Sequence, residues 1–296
     1  MARIAFIGLG NMGAGMAANL AKAGHDVHAF DLSADALRRA ETAGCLAADS
    51  AAAAADGAEA VVTMLPAGKH VAEVYEQIMG AVAPAAVLID CSTIDVATAR
   101  SVAQSASGAG LAAVDAPVSG GIAAAAAGTL TFMVGGPADA FARAEPILQQ
   151  MGKAVIHAGA SGSGQAAKLC NNMILGATMA ATCEAFLLAE RLGLEPQAFF
   201  DIASVSSGQS WSMTSYCPVA GVGPETPADR DYEGGFAGAL MLKDLRLATG
   251  AADQAGSPVP MGARARELYE ALVADGGGGR DFSALLPWLR DRGASA

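Results

Sequence analysis

Positive charge is what this chain has least of. Its 296 residues carry 18 Lys and Arg against 29 Asp and Glu, a net charge of −11. The lysines are only Lys22, Lys69, Lys153, Lys168 and Lys243. A nucleic-acid partner is excluded on that ground, because neutralising phosphates takes basic clusters. No basic amphipathic segment suits a membrane surface either. Aromatic residues are scarce at 5%, whereas alanine and glycine dominate. Small side chains let helices pack closely on each other or on a sheet, and a hydrophobic content of 53% excludes disorder. The cysteines, Cys45, Cys91, Cys170, Cys183 and Cys217, are odd in number and lack C-x-x-C spacing. That argues against a disulfide framework or a metal site, and for small buried thiols in a reducing, cytoplasmic compartment. The opening MARIAFIGLG enters a strand pattern at once and leaves no room for a targeting peptide. The longest apolar run, from Met173 to Leu188, is interrupted by Thr178, Thr182 and Glu184. It reads as a core or subunit-interface helix rather than a membrane span, so a homodimer or homotetramer is expected.

The chain is long enough for two domains. Strand patterns fall at Arg3–Ile7, Val27–Phe30, Ala60–Met64, Val87–Asp90, Ala112–Ala116, Leu130–Val134 and Ala154–His157, with helical patterns between them. Such alternation predicts a doubly wound, mostly parallel sheet. Beyond residue 163 the patterns are helical, over 164–192, 196–205, 236–254, 260–274 and 281–290, and the stretch 207–235 reads as loops. The expected organisation is an α/β Rossmann-type domain over 1–162 and an all-helical substrate and oligomerisation domain over 163–296.

Residues 8–13, GLGNMG, fit G-x-G-x-x-G between a strand and a helical segment, and Asp31 closes the next strand. In that context Gly8 permits the tight turn, Gly10 lets a pyrophosphate approach the backbone, and Gly13 lets helix and strand pack closely. Asn11 and Met12 complete the turn whose amides face the phosphates. Asp31 accepts hydrogen bonds from a ribose diol and repels a 2′-phosphate. Leu32 and Ser33 follow it, with no adjacent arginine, so NAD is favoured over NADP. Further on, Lys168 and Asn172 share a helix face at i, i+4. A lysine there either snorkels its stem over an apolar helix or serves chemistry. DAPVSGG at 115–121 ends a strand pattern, where open parallel sheets bind ligands. Lys243 lies in an apolar helix but has charged neighbours, Asp244 and Arg246, consistent with a solvated face as well as with function.

Together these motifs resemble the β-hydroxyacid dehydrogenases over essentially the whole chain. The resemblance rests on GLGNMGAGMAANL, TMLP at 63–66, DCST at 90–93, DAPVSGG, the G-x-x-G-x-G-x-x-x-K-x-x-x-N of Gly159–Asn172, and MLKDL at 241–245. It implies a nucleotide-binding domain joined by a long helix to an all-helical one, with Lys168 as the catalytic base. It further implies that Ser119, Gly120 and Gly121 hold the substrate carboxylate and that Asn172 orients the substrate. Lys243 would lie against substrate or cofactor; Leu65, Pro66 and Thr93 would line the cofactor path, and His70 would be a polar cofactor contact. SWSMTSYCPVAGV at 210–222 and YEGGF at 232–236 resemble the branch acting on 3-hydroxyisobutyrate. Trp211, Tyr232 and Phe236 there either wall a pocket or pack a core. The expected reaction is NAD-dependent oxidation of a small 3-hydroxy acid, 3-hydroxyisobutyrate, to methylmalonate semialdehyde, a step of valine breakdown. The alternatives are a tartronate or other semialdehyde reductase of the same family, and a non-catalytic nucleotide-bound interaction module.

Overall fold

Continuous apolar runs such as RIAFI, AVVT and VLID suit strands covered on both faces, and each lies inside a parallel sheet here. The computed structural model describes residues 1–294. In chain order the first part comprises β1 (Arg3–Ile7), α1 (Gly13–Lys22), β2 (Asp26–Phe30), α2 (Ala34–Thr42), β3 (Leu46–Ala47), α3 (Ala51–Ala55), β4 (Ala60–Thr63) and α4 (Gly68–Ile78). It continues through β5 (Val87–Asp90), α5 (Val96–Gly108), β6 (Ala112–Asp115), β7 (Val118–Ser119), α6 (Gly121–Ala127), β8 (Leu130–Gly135), α7 (Ala138–Leu148) and β9 (Gly152–Gly159). The sheet order is β3-β2-β1-β4-β5-β6-β8-β7, with β9 also on β8. Strands β1 to β6 pair in parallel, β8 runs antiparallel to β6 and β7, and β9 is parallel to β8. One face of the sheet packs Phe6, Ile89 and Phe132 with Met16 and Leu20 of α1. The other packs Ile7 and Leu88 with Tyr75 and Ile78 of α4 and Val102 of α5.

Two strands escape the sequence pattern. Both β3 and β7 are two residues long, and pairing at the sheet margin makes them strands rather than any local periodicity.

The helical part follows as α8 (Ser163–Arg191), α9 (Pro196–Ala203), α10 (Trp211–Thr214), α11 (Gly238–Ala255), α12 (Pro260–Ala274) and α13 (Leu285–Ala294). Its core gathers Met179, Cys183, Phe186, Met241, Leu245, Tyr269 and Phe282. By length and composition α8 could cross a bilayer. Met179, Cys183 and Phe186, however, face this core as in an ordinary core helix. The stretch 207–235 is not all loop. It contains α10, capped by the Ser210 hydroxyl, and a 3₁₀ turn at Pro227–Arg230 closed by a Thr226–Asp229 capping box. Tyr232 is buried in a small cluster with Ala228 and Ala284, apart from that core, and its hydroxyl donates to the Pro218 carbonyl. The cysteines are free, and Cys170 is exposed whereas the other four are buried, which corrects the expectation that all are buried. The chain divides into two compact units, Met1–Lys168 and Leu169–Ala296. The first turns of α8 therefore belong with the sheet.

One buried carboxylate is only half satisfied. At the end of β5, Asp90 Oδ1 accepts from the Thr63 hydroxyl at 2.7 Å and the Ser92 amide at 3.2 Å, and Oδ2 has no partner. Burial raises its pKa from 3.8 to about 6. The folded state thus holds this proton more tightly than the unfolded chain does. The carboxyl's contribution is present in full at low pH and is lost as pH rises from about 4 to about 6.

Two outcomes follow from the packing. A Cβ on Gly13 would sit 2.0 Å from the Gly8 carbonyl oxygen. Gly13→Ala is expected to lower stability by roughly 1–3 kcal/mol in urea unfolding and to weaken NAD binding. Asp90→Asn is expected to flatten the loss of stability between about pH 4 and pH 6. A slope equal to that of the parent would mean that Asp90 is not an uncompensated buried charge.

Candidate active site

The glycine turn after β1 is shaped by close approach. A Cβ on Gly8 would lie 2.3 Å from the Met64 carbonyl oxygen and 3.1 Å from Leu65, and Gly8 has φ +98°. Beyond Gly10, by contrast, a Cβ would meet nothing within 4 Å. Gly10 and Asn11 are exposed and Met12 is half-buried. Helix α1 starts with no side-chain cap and no acidic residue in its first turn. Its amide end is therefore available to an anion. At the end of β2, Asp31 Oδ2 accepts from the Leu9 amide at 2.7 Å and Oδ1 from the Ser33 amide at 2.8 Å. Each oxygen keeps a further lone pair for a diol. Arg38 pairs with Asp35 on the exposed face of α2. Bare amides, an open Gly10 and a fixed carboxylate all fit an NAD dinucleotide.

Leu65 is half-buried, and its amide donates to the Ser92 hydroxyl at 2.8 Å. Pro66 is exposed and Thr93 half-buried, on the loops after β4 and β5. These loops lie at the carboxyl ends of adjacent parallel strands, where the turn after β1 also lies. His70 stands in the first turn of α4 with a buried Nδ1 that has no hydrogen-bond partner.

The N-terminal turn of α8 is clamped to strand ends. Asp115, the last residue of β6, accepts from the Gly162 amide at 2.6 Å and the Gln165 amide at 2.8 Å. Burial lifts the Asp115 carboxyl to about 6, against the pull of these amides. The fit has no spare room. A Cβ on Gly164 would lie 2.2 Å from the Met133 carbonyl oxygen, and one on Gly135 would lie 2.5 Å from Asp115 Oδ1. Gln165 is fully buried; its side chain accepts from the Ile94 amide at 3.1 Å and donates to the Ser92 carbonyl at 2.8 Å. Lys168 follows three residues later and is buried. Ser119, half-buried, ends β7 opposite Thr131. Gly120 and Gly121 are exposed, with φ +135° and +72°, conformations that favour glycine. Helix α6 then begins with no side-chain cap or acidic residue.

In the helical unit Asn172 is buried and donates to Asp244 Oδ2 at 2.6 Å. Lys243 Nζ is 3.6 Å from the other oxygen of Asp244. Asp244 is the link between these two positions that sequence reasoning missed, although it lies inside MLKDL. Trp211, half-exposed at the surface, stacks on Tyr216 at 4.8 Å; Tyr216 lies 5.4 Å from Phe282, and Phe282 lies 5.9 Å from Phe236. Asp281 anchors this ladder, because Oδ2 accepts from the Tyr216 hydroxyl at 2.9 Å and the Phe236 amide at 2.7 Å. Trp211 and Phe236 are thus brought into one cluster. Tyr216 lies within the flagged SWSMTSYCPVAGV, whereas Asp281 is 45 residues beyond Phe236 and had no local signal. Among the described residues no group of three or more His, Cys, Asp or Glu is placed to hold a metal.

Two family models match. Residues 3–159 match the NAD binding domain of 6-phosphogluconate dehydrogenase. Residues 162–289 match the NAD-binding domain of NADP-dependent 3-hydroxyisobutyrate dehydrogenase. A 3-hydroxyisobutyrate dehydrogenase of Pseudomonas aeruginosa is 49% identical, covering 99% of this chain and 100% of its own. An NAD-dependent L-serine dehydrogenase of the same organism is 47% identical, covering 96% and 97%. The solved structure of Mycobacterium tuberculosis 3-hydroxyisobutyrate dehydrogenase with L-serine has a TM-score of 0.94 at 46% identity, over 98% of this chain and 99% of that one. These similarities and the nucleotide-binding turn agree: the chain belongs to the β-hydroxyacid dehydrogenase family and is an NAD-dependent oxidoreductase.

Proposed function

We propose that this enzyme oxidises 3-hydroxyisobutyrate to methylmalonate semialdehyde, within valine breakdown, with Lys168 as the general base. The observation that carries this reading is a buried lysine on a helix whose first turn is pinned to the sheet. Lysine is the proton-exchanging group that this helix presents, and no histidine stands in the matched motifs. NAD, when bound, supplies the hydride acceptor. Lys168 Nζ takes the hydroxyl proton as the alcohol carbon becomes a carbonyl. In the reverse direction the protonated lysine returns it.

The Ser119 hydroxyl and the amides of Gly120 and Gly121 bind the substrate carboxylate, at a turn free of acidic neighbours. Asn172, held by Asp244, orients the substrate, and Lys243 lies against substrate or cofactor. Trp211 and Phe236 wall the pocket for the branched methyl. Gly8, Gly10, Asn11, Met12 and Gly13 cradle the pyrophosphate, and Asp31 accepts the ribose hydroxyls. Leu65, Pro66, His70 and Thr93 line the rest of the cofactor's path. Exposed Ile174, Leu188 and Leu192 on and just beyond α8 support a homodimer or homotetramer. Five free thiols support a reducing, cytoplasmic setting.

A second reading has its own support. The Pseudomonas aeruginosa L-serine dehydrogenase makes L-serine a competing substrate. Serine is also a 3-hydroxy acid and carries an amine where 3-hydroxyisobutyrate carries a methyl. A tartronate semialdehyde reductase remains the further alternative, and an interaction module would lack turnover altogether.

Lys168→Ala is expected to fold and bind NAD but to lose turnover by about 10³-fold or more; near-parental kcat would remove Lys168 from the mechanism. Initial rates of oxidation of 3-hydroxyisobutyrate and L-serine with NAD and NADP, and of reduction of tartronate semialdehyde with NADH and NADPH, are expected to favour 3-hydroxyisobutyrate with NAD. Higher kcat/KM for L-serine would move the assignment to the second reading. Preference for NADPH and tartronate semialdehyde would move it to the reductase. Light scattering is expected to give a mass of two or four chains.

A further inference from the structure

Gln165 makes an unusual set of contacts for one residue. Its own amide donates to Asp115 Oδ2 at 2.8 Å. Its side-chain carbonyl accepts from Ile94 N–H at 3.1 Å, and its side-chain NH₂ donates to the Ser92 carbonyl at 2.8 Å. Main chain and side chain are therefore both fixed, in a residue with no exposed surface. The two backbone groups it satisfies flank Thr93, on the cofactor loop. The helix it fixes carries Lys168 one turn on, at i+3. Gly164 is wedged against the Met133 and Asp115 carbonyls, so the turn cannot slide to compensate for a lost contact.

We infer that Gln165 is a positioning residue that sets the register between the cofactor loop at Thr93 and the base at Lys168. The inference rests on the assignment of Lys168 as base. A side chain that both donates and accepts is required, because a buried amide and a buried carbonyl must be satisfied together. Removing either function leaves one of them unpaired and loosens the tie between the turn and the cofactor loop, and small misplacements of a reacting group are costly to rate.

The test uses the full-length enzyme with its preferred substrate and NAD. Gln165→Met preserves length and apolar volume, and is expected to keep NAD binding while kcat falls on the order of 100-fold with KM little changed. Gln165→Glu supplies a donor and an acceptor only when protonated. Asp115 accepts the amide of this residue, Lys168 lies one turn on, and Arg100 donates to the Ser161 carbonyl just before α8; complete burial beside the Asp115 carboxyl favours the protonated form. Its rate relative to the parent enzyme is therefore expected to rise as pH is lowered, a partial rescue that a generally weakened fold would not give. If Gln165→Met does not fold, the pH dependence of this ratio decides. A ratio flat with pH, or parental kcat in Gln165→Met while Lys168→Ala is dead, overturns the positioning role alone. Turnover in Lys168→Ala overturns the base assignment on which it rests.

Discussion

Everything proposed for the chemistry hangs on one carboxylate. Asp115 ends a parallel strand and accepts the amides of Gly162 and Gln165, which fixes the start of α8 to the sheet. A helix N-terminus has unpaired donors and a partial positive charge, and a buried carboxylate is among the few groups that can satisfy both. The same contact stabilises the aspartate, whose burial alone would disfavour its charge. Helix and strand end each remove the other's polar defect. This mutual satisfaction fixes the turn from which Lys168 projects.

The nucleotide end is built on a different constraint, which is space. Gly8 and Gly13 sit where a side chain would strike backbone oxygens, and Gly10 sits where nothing stands in the way. The glycines that pack the turn and the glycine that opens it thus do opposite work within six residues. Asp31 adds direction through two backbone amides, one of them from Leu9 within that turn.

The sheet and the dinucleotide turn were legible because their signals are local. RIAFI, VLID and GLGNMG announce burial, strand and turn within a few residues. The two-residue strands β3 and β7 were not legible, since pairing partners make them strands. Asp115 and Gln165 lay inside flagged motifs, yet their partners are distant in sequence, which no periodicity encodes. Trp211 and Phe236 were flagged as possible pocket residues, whereas the Asp281 that ties their segments together had no such signal. Tyr232, grouped with them by sequence, lies in a separate small cluster with Ala228 and Ala284, and its hydroxyl donates to the Pro218 carbonyl.

The alanine run of α6 shows what low sequence complexity does here. Asn19 of α1 donates to the Ala125 carbonyl at 2.8 Å, and a Cβ on Gly15 would lie 2.9 Å from the Ala126 amide. The two helices touch through backbone, with almost no side chain between them. Such an interface has little to lose from truncation and much to lose from growth, so its tolerance of sequence drift is one-sided. Within α6 only Ala125 is buried, so this constraint falls on one position of the run rather than on all of it.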